Sequence, residues 1–267
     1  MLSPNPPSWP SILRKSAIAA AATMTCAVAM ADMLPDFTLD PAGAGLAGTS
    51  FTADNMLISD YSKVTLDGTS FTETGLLQVT NFQLEGSTFI PAGLGTDWGM
   101  YFQFTGAGTT TAGNPSSVAT TGTFDTLTFN LYGYNGGATF GLDAGNNPVE
   151  TASGEVLLAT GTLVAGSAGT IPMSPSFAAF AVATLTFTPE ASAGGFFQSP
   201  NPFYNIAQAS FINQASEVTP FDGGFTIHKG GGSVNFTTSV IPEPGTYAML
   251  AAGLCAVAFT ARRRTRA

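Results

Sequence analysis

Alternation of apolar and polar residues is the dominant pattern between the two ends of the chain. In residues 122–134 (GTFDTLTFNLYGY), the even-numbered residues from Phe124 to Tyr132 face one way, and the odd-numbered residues from Asp125 to Leu131 largely face the other. Because side chains alternate between the two faces of a sheet, this run predicts a strand with one apolar face. Similar runs recur at residues 50–53, 61–66, 76–84, 98–105, 155–164, 177–188, 224–228 and 234–238.

Pieces rich in Gly, Asn, Asp and Pro separate these runs and are typical of turns. Short strands at this spacing predict an all-β domain, either an antiparallel sandwich or a barrel-like fold. No internal repeat is visible, which argues against a solenoid or a propeller. We expect a flexible loop over residues 107–123 and a broken hairpin at Gly230–Gly232, and residues 202–211 could form a short helix or a turn.

The C-terminal segment, residues 241–267, contains three features in a fixed order. The triplet Pro242, Glu243 and Pro244 comes first, and an uncharged run over residues 245–261 follows. At about 1.5 Å per residue, this run is just long enough for a single transmembrane helix across a roughly 30 Å hydrocarbon core. A basic cluster ends the chain, at Arg262, Arg263, Arg264 and Arg266. Basic residues beside a span stay cytoplasmic, so the preceding chain should lie outside the membrane.

This order of triplet, apolar run and arginines resembles the PEP-CTERM sorting signal of Gram-negative bacteria. The resemblance implies that exosortase, a membrane protease-transpeptidase, recognises and processes the chain at Pro242, Glu243 and Pro244. An ordinary membrane anchor would need the apolar run and the arginines but not the triplet. Because prolines disfavour helix, we expect the triplet to remain extended at the membrane surface, where an enzyme can bind it.

The N-terminus carries a matching export signal. Arg14 and Lys15 precede an apolar stretch from Ser16 to about Met30 that ends in small residues, which is typical of a signal peptide. Cleavage after Ala31 is preferred over cleavage after Ala29, and the export translocon and signal peptidase are the implied partners. Cys26 lacks the context of a lipoprotein site. The predicted organisation is a signal peptide over residues 1–31, a β-rich extracellular domain over residues 32–241, and the sorting signal over residues 242–267.

The exported body has an unusual chemical composition. Both cysteines, Cys26 and Cys255, lie in the terminal signals, so the body cannot form a disulfide. Lys63 and Lys229 are its only lysine or arginine residues, and the whole chain has a formal net charge of −9. This balance argues against nucleic-acid binding. The carboxylates could bind divalent cations weakly or simply keep the protein soluble, and solubility is the favoured interpretation.

Candidates for catalysis are few, and we predict that the protein is not an enzyme and has no cofactor or resident metal. His228 is the only histidine, so the chain lacks a two-histidine zinc site, and no G-x-S-x-G element accompanies it. We expect His228 at a sheet edge or turn, and residues 143–147 to form a plain turn rather than a calcium site. The acidic residues are scattered along the chain, and their spacing selects no catalytic pair. They include Asp60, Asp67, Glu73, Glu85, Asp97, Asp125, Glu150 and Glu155.

Two aromatic residues bear on carbohydrate binding. Trp98 and Tyr101 could form part of a sugar-stacking platform, although aromatics in an apolar strand are more often core residues. A cleft with two carboxylates against either residue would favour a carbohydrate-active enzyme. A buried Trp98 and scattered, solvated acids would favour a structural role.

The body also resembles flocculation-associated PEP-CTERM proteins in three loose motifs, at residues 37–41 (FTLDP), 50–56 (SFTADNM) and 194–205 (GGFFQSPNPFYN). The resemblance implies a role outside the cell, in holding cells within an exopolysaccharide matrix. The sequence therefore predicts a protein exported across the inner membrane, transiently anchored there, and then placed at the cell surface or in the matrix. Its expected role is structural or adhesive, with exopolysaccharide or neighbouring cells as partners. The alternative is a secreted carbohydrate-binding module or carbohydrate-active enzyme.

Overall fold

A computed structural model of the chain describes residues 34–173 and 176–238. These residues form sixteen strands, in chain order β1 (Phe37–Leu39), β2 (Phe51–Ala53), β3 (Asn55–Asp67), β4 (Ser70–Leu84), β5 (Ser87–Phe89), β6 (Trp98–Thr110), β7 (Thr120–Asn135), β8 (Phe140–Leu142), β9 (Pro148–Glu150), β10 (Val156–Met173), β11 (Ser176–Thr186), β12 (Thr188–Pro189), β13 (Phe197–Ser199), β14 (Ile206–Asn213), β15 (Val218–Phe221) and β16 (Gly224–Thr237).

Helical structure in the described residues is limited to two short 3₁₀ helices, Pro41–Ala44 and Ala191–Ala193. The all-β prediction is confirmed. Within the described ranges, no helix has the length and apolar character required to cross a membrane. The predicted signal peptide and the predicted sorting helix over residues 245–261 lie outside these ranges.

Eight of the strands close into an antiparallel barrel. Neighbours follow the order β11, β14, β16, β3, β4, β6, β7 and β10, and β10 then pairs with β11. That last pairing runs from Leu163 opposite Leu185 to Met173 opposite Ser176. The sequence left sandwich and barrel as alternatives, and the pairing of β10 with β11 selects the barrel. An interior of eight strands is just wide enough to be filled by side chains or to hold one small ligand.

A β-bulge in β7 corrects the predicted faces of that strand. The alternation placed Phe124 on the polar face, whereas the structure buries it in the interior with Leu127 and Phe129. Ala107 pairs with Thr126 and Gly108 pairs with Phe124, so Asp125 is an extra residue in β7. One inserted residue moves every side chain before it to the opposite face of the sheet.

The predicted loop is longer than the loop in the structure, and the predicted break in the hairpin does not occur. Residues 107–110 belong to β6 and residues 120–123 to β7, so the connection covers only residues 111–119. Threonine is a good strand former and glycine packs closely here, so these residues pair as strands despite their loop-like composition. Gly230–Gly232 lie within β16 and pair with β3, because a bulge after His228 absorbs the irregularity instead of ending the strand.

The interpretation of residues 202–211 as a helix is also wrong. Residues 206–211 belong to β14, which pairs with β11 on one side and β16 on the other. The short apolar run alternates with a period of two, and Ala207 and Ala209 lie in the interior. A segment this short gives no reliable helical period, and pairing on both sides determines its conformation.

Inward-facing glycines allow phenylalanine rings of neighbouring strands to lie across the barrel wall. A Cβ atom at Gly75 of β4 would overlap the Phe104 ring of β6 and lie 2.8 Å from the Cβ atom of Ser62. Gly161 of β10 has the same relation to the ring of Phe129 on β7. Each large ring thus occupies the space that a side chain on the next strand would fill, which keeps the packing dense within a narrow interior.

A small sheet closes one end of the barrel. β13, β1 and β2 pair in that order, and their aromatic side chains pack onto the ends of the barrel strands. The rings of Phe37 and Phe236 meet edge to face at 5.1 Å. Trp98, at the start of β6, is fully buried there. The opposite end, called the loop end below, carries the connection over residues 111–119 between Thr110 and Thr120.

The glycine packing predicts a specific sensitivity to one methyl group. Gly75→Ala should lower the free energy of unfolding by about 1–3 kcal/mol, because the added methyl group overpacks the Phe104 ring. Gly141→Ala is the control, since a Cβ atom at Gly141 of β8 would have no neighbour within 4 Å. The control should change stability by less than about 0.5 kcal/mol. Equal urea midpoints for the two variants would contradict this account.

Candidate functional site

The barrel interior contains a cavity because one part of its wall is made of small side chains. β11 and β14 place alanines inward, whereas β4, β6 and β7 place leucines and phenylalanines inward. The alanines do not reach the opposite rings, and a volume of about 110 Å³ remains between them, called the interior cavity below. The alanines of β11 and β14 that line it are Ala179, Ala181, Ala183, Ala207 and Ala209.

A polar cluster lies against this apolar cavity. Asp60 of β3, Glu73 of β4 and Asn213 of β14 line it, and Ser62 lies beside them on β3. They come from adjacent strands, since β14, β16, β3 and β4 are consecutive in the sheet. Gly230 of β16 leaves the space that the Asn213 amide occupies. The glycine at this bulge of β16 therefore makes room for a side chain of the polar cluster.

Several buried polar atoms of the cluster have no hydrogen-bond partner in the described part of the chain. Asp60 is only 3 % exposed and Asn213 only 2 % exposed. The Asn213 amide nitrogen donates to Oδ2 of Asp60 over 3.5 Å. Asp60 Oδ1, Asn213 Oδ1 and Ser62 Oγ have no hydrogen-bond partner among the described residues. Buried polar atoms are normally paired, so this group of three is exceptional.

Burial dominates the acid–base behaviour of both carboxyl groups. Burial raises the pKa of Asp60 to about 7, and the Glu217 carboxylate adds to the rise. Burial, followed by the charge of Asp60, raises the pKa of Glu73 to about 8. The Ser62 hydroxyl lies near both groups and partly offsets each rise, although its geometry to either falls short of a hydrogen bond. At neutral pH the pair therefore retains a proton.

A second concave surface lies on the outside of the barrel and is called the outer groove below. It has a volume of about 430 Å³. Its lining includes outward-facing hydroxyl and amide side chains of β4, β6 and β7, which are Thr74, Gln103, Thr105, Thr128 and Asn130. Gln103 and Asn130 form a cross-strand pair, and the hydroxyl oxygens of Thr105 and Thr128 lie 3.1 Å apart.

The hairpin of β8 and β9 forms one side of the outer groove, through Asn147 and Pro148. Its connecting turn is held by Asp143, whose Oδ1 accepts the backbone N–H groups of Gly145 and Asn147 at 2.8 Å each. These hydrogen bonds and nearby Lys63 lower the pKa of Asp143. Lys63 Nζ donates to Gly145 O and Asn147 Oδ1 at 3.0 and 3.1 Å. Residues 143–147 thus form the expected turn, with their oxygens used within the protein.

The structure assigns the two aromatic candidates to packing. Trp98 is 0 % exposed and its indole N–H donates to Ala92 O at 2.9 Å. Tyr101 is 3 % exposed, stacks on Tyr132 and donates its hydroxyl to Glu155. Burial and this hydrogen bond raise the pKa of Tyr101. Neither residue offers a ring face to a sugar.

His228 lies in β16, exposed, with its ring 5.4 Å from that of Tyr61. It is in a strand paired on both sides, since Ile227 before it pairs with Val218 of β15 and with Ser62 of β3. The predicted position at an edge or turn is therefore inaccurate. Across residues 34–173 and 176–238, no group of three or more His, Cys, Asp or Glu side chains is arranged to hold a metal ion.

The predicted processing residues all lie outside the described ranges, and their roles stay predictions. They are Pro242, Glu243 and Pro244 of the triplet, Arg262, Arg263, Arg264 and Arg266 of the tail, and Ala29 and Ala31 of the signal peptide. Comparison with protein families gives a match to the PEP-CTERM protein-sorting motif over residues 240–264. The chain carries a PEP-CTERM sorting motif. Neither a curated protein sequence nor a solved structure matches this chain.

The PEP-CTERM motif has direct consequences for the fate of the protein. It implies processing by exosortase and export to the cell surface. The matched segment contains the whole triplet and three of the four tail arginines, so the residues singled out in the sequence are those that the motif includes. The barrel lies before this segment and contributes nothing to the match.

Sequence reasoning missed the interior polar cluster. Spacing along the chain gives Asp60 and Glu73 no partner, and it does not select Ser62 or Asn213. One signal was present, since Asp60 and Ser62 occupy the alternating set that contains Met56, Ile58 and Val64. Polar residues in an otherwise apolar set predict a polar patch inside the fold. Their encounter with Asn213 depends on strand order, which the sequence does not reveal.

The buried acids predict an unusual dependence of stability on pH. Because both pKa values are higher in the folded protein than in the unfolded chain, the folded state binds more protons between about pH 4 and pH 8. The free energy of unfolding should therefore fall as pH rises through this window, by on the order of 2 kcal/mol between pH 5 and pH 8.5 for Asp60 alone. Chemical denaturation at several pH values measures it.

Asp60→Asn should remove at least half of this pH dependence. Asp125→Asn is the control, because Asp125 is an exposed carboxylate at the bulge of β7. This control should show the same fall in the free energy of unfolding with rising pH as the wild-type protein. A wild-type protein whose stability is flat or rises between pH 5 and pH 8.5 would contradict the assigned burial of the pair.

Proposed function

We propose that this protein is a structural, adhesive component of the extracellular matrix, released or attached after exosortase processing, and that it holds cells in exopolysaccharide. The observation that carries the proposal is the outer groove, a hydroxyl- and amide-rich surface on a protein whose sorting motif directs it to the cell surface. The loose resemblance to flocculation-associated PEP-CTERM proteins supports the same role.

The chemistry of the outer groove suits a polysaccharide. Sugar hydroxyls donate and accept hydrogen bonds, and threonine hydroxyls and Asn or Gln amides can do both. Thr105, Thr128, Gln103 and Asn130 provide such groups from adjacent strands. Individual contacts of this kind are weak, but a long polymer can engage many protein copies at once and hold firmly by multivalency.

Surface carboxylates add a second route to adhesion. Carboxylates are hard oxygen donors that suit calcium. The described residues lack a cluster that would hold a metal ion alone, so a divalent cation would be shared between protein and polysaccharide. We infer a weak, bridging use of divalent cations rather than a resident metal.

The carbohydrate-binding alternative is partly included in this proposal, because the outer groove is itself a sugar-binding candidate. A glycoside hydrolase would require two carboxyl groups beside the sugar. The described residues that line the outer groove include hydroxyl, amide and apolar side chains but no carboxyl group, and the paired acids Asp60 and Glu73 line the interior cavity instead. Binding without hydrolysis is therefore the function we propose.

Processing gives the first test of the proposal. Replacing Pro242, Glu243 and Pro244 with alanines should leave a membrane-retained precursor, because the extended triplet is the part that exosortase would recognise. Membrane fractionation and intact mass measure the outcome. Release of the altered protein with an unchanged mature C-terminus would show that the triplet is dispensable.

The outer groove gives the second test. Gln103→Ala combined with Asn130→Ala should lower binding of the extracellular protein to purified exopolysaccharide at least threefold. The matched control is Gln208→Ala with Asn235→Ala, a cross-strand Gln–Asn pair on β14 and β16. Co-sedimentation measures binding. Equal losses in the two double variants would exclude the outer groove as the contact.

Cell aggregation tests the adhesive role itself. A deletion strain should grow normally but form smaller aggregates than its parent, and the groove variant should behave like the deletion. Aggregate size is compared with and without a calcium chelator. Equal aggregation by deletion and parent strains in every condition would defeat the adhesive role, whereas an equal chelator effect in both strains would defeat only the cation bridge.

A further inference from the structure

The interior cavity is distinguished from an ordinary packing defect by what faces it. Most of its lining is apolar, including the rings of Phe102, Phe104 and Phe129. Its polar lining consists of the Asp60 and Glu73 carboxyl groups, the Asn213 amide and four threonine side chains. Asp60 Oδ1 and Asn213 Oδ1 have no hydrogen-bond partner among the described residues. The side chains that line it in the described part of the chain include no Lys, Arg or His. An apolar chamber with unpaired acceptors and carboxyl groups is complementary to an apolar body that carries a cationic donor.

We propose that the interior cavity is a binding site for a small apolar amine, with its alkyl or aryl part between the alanine wall and the phenylalanine rings and its ammonium group at Asp60, Glu73 and Asn213. An ammonium has three N–H donors and no acceptor. It would pair with Asp60 Oδ1 and Asn213 Oδ1, which have no partner among the described residues. The proposal is independent of the adhesive role.

The size of the interior cavity sets the size of the ligand. An apolar cavity of about 150 Å³ holds benzene. The volume of about 110 Å³ here accordingly fits a branched alkyl group of four or five carbons or a small ring. Larger amines would require movement of the wall.

The loop end of the barrel gives the ligand a route. Thr110, Thr111, Gly113 and Pro115 line the interior cavity together with Thr120, at the end where β6 and β7 are connected. The opposite end is closed by the small sheet and its buried aromatic side chains. Entry from the loop end places the apolar part and the ammonium within the chamber without opening the barrel wall.

Charge in the site depends on pH through a defined set of groups. The groups that face Asp60 are Ser62 on its own strand, Glu73 on β4, Asn213 on β14 and Glu217 after β14. From β16 the neighbour is Gly230, while Lys229 and His228 are exposed. With pKa values raised to about 7 and about 8, both acids are protonated at pH 5.5, whereas at pH 8.5 Asp60 is ionised and Glu73 is mostly ionised. An alkylamine keeps its proton at both pH values, as lysine does.

Isobutylamine is the probe, and isobutanol is its neutral counterpart of the same shape. Amide chemical shifts of the exported protein, expressed from the full chain, are followed during titration at pH 8.5 and pH 5.5. We expect saturable shifts in β3, β11 and β14, with at least tenfold tighter binding of isobutylamine than of isobutanol at pH 8.5. At pH 5.5 this preference should fall at least fivefold.

Two variants and one control locate the site, and they separate the contribution of the apolar cavity from that of the Asp60 carboxyl group. Ala209→Leu fills the interior cavity and should weaken isobutylamine binding at least tenfold, whereas Ala165→Leu, at an exposed position of β10, should leave it unchanged. Asp60→Asn should abolish the preference for the amine while isobutanol still binds. Retained chemical-shift dispersion shows that each variant is folded.

Three results would overturn the proposal. These are the absence of saturable isobutylamine binding at millimolar concentration, equal affinity for amine and alcohol at pH 8.5, and undiminished amine binding by folded Ala209→Leu. If Ala209→Leu does not fold, the wild-type comparison of amine with alcohol and the Asp60→Asn variant decide the question. Loss of the adhesive phenotype has no bearing on any of these readouts.

Discussion

The pairing of β10 with β11 is the constraint on which the rest of the structure depends. It joins the two ends of a sheet that would otherwise expose two long edges, and it turns one sheet face into an enclosed interior. The enclosed interior leaves little space for inward side chains. Glycines on one strand therefore lie beside phenylalanine rings of the next strand. Enclosure also buries Asp60 and shields Glu73 from much of the solvent, which raises the pKa of both carboxyl groups.

Alternation along the chain was sufficient to predict most strands, because each inward position of the barrel needs an apolar side chain and each outward one tolerates a polar side chain. It failed where a bulge adds a residue. Phe124 was assigned to the wrong face, since Asp125 shifts the register by one. The Gly230–Gly232 segment was read as a break because composition does not show that neighbouring strands continue to pair with it.

The interior cavity was harder to predict than the strands for a different reason. Its wall joins Ala183 of β11 to Ala209 of β14, and these face residues of strands that are distant in sequence. Alternation shows that each residue points inward but not what lies opposite. The sorting motif differs, because its match depends on the linear order of residues 240–264 and not on contacts between distant strands. Its recognition therefore came from sequence alone, and the family comparison confirmed it.

The position of the last barrel strand limits how far the sorting motif can lie from the folded barrel. β16 lies between β14 and β3, so the barrel wall has a gap until this final strand has docked. Thr237 ends that strand, and the triplet begins at Pro242. Five residues reach at most about 18 Å, even fully extended. Completion of the barrel and access to the sorting motif are therefore linked by distance, because the triplet cannot lie farther than this from the end of β16.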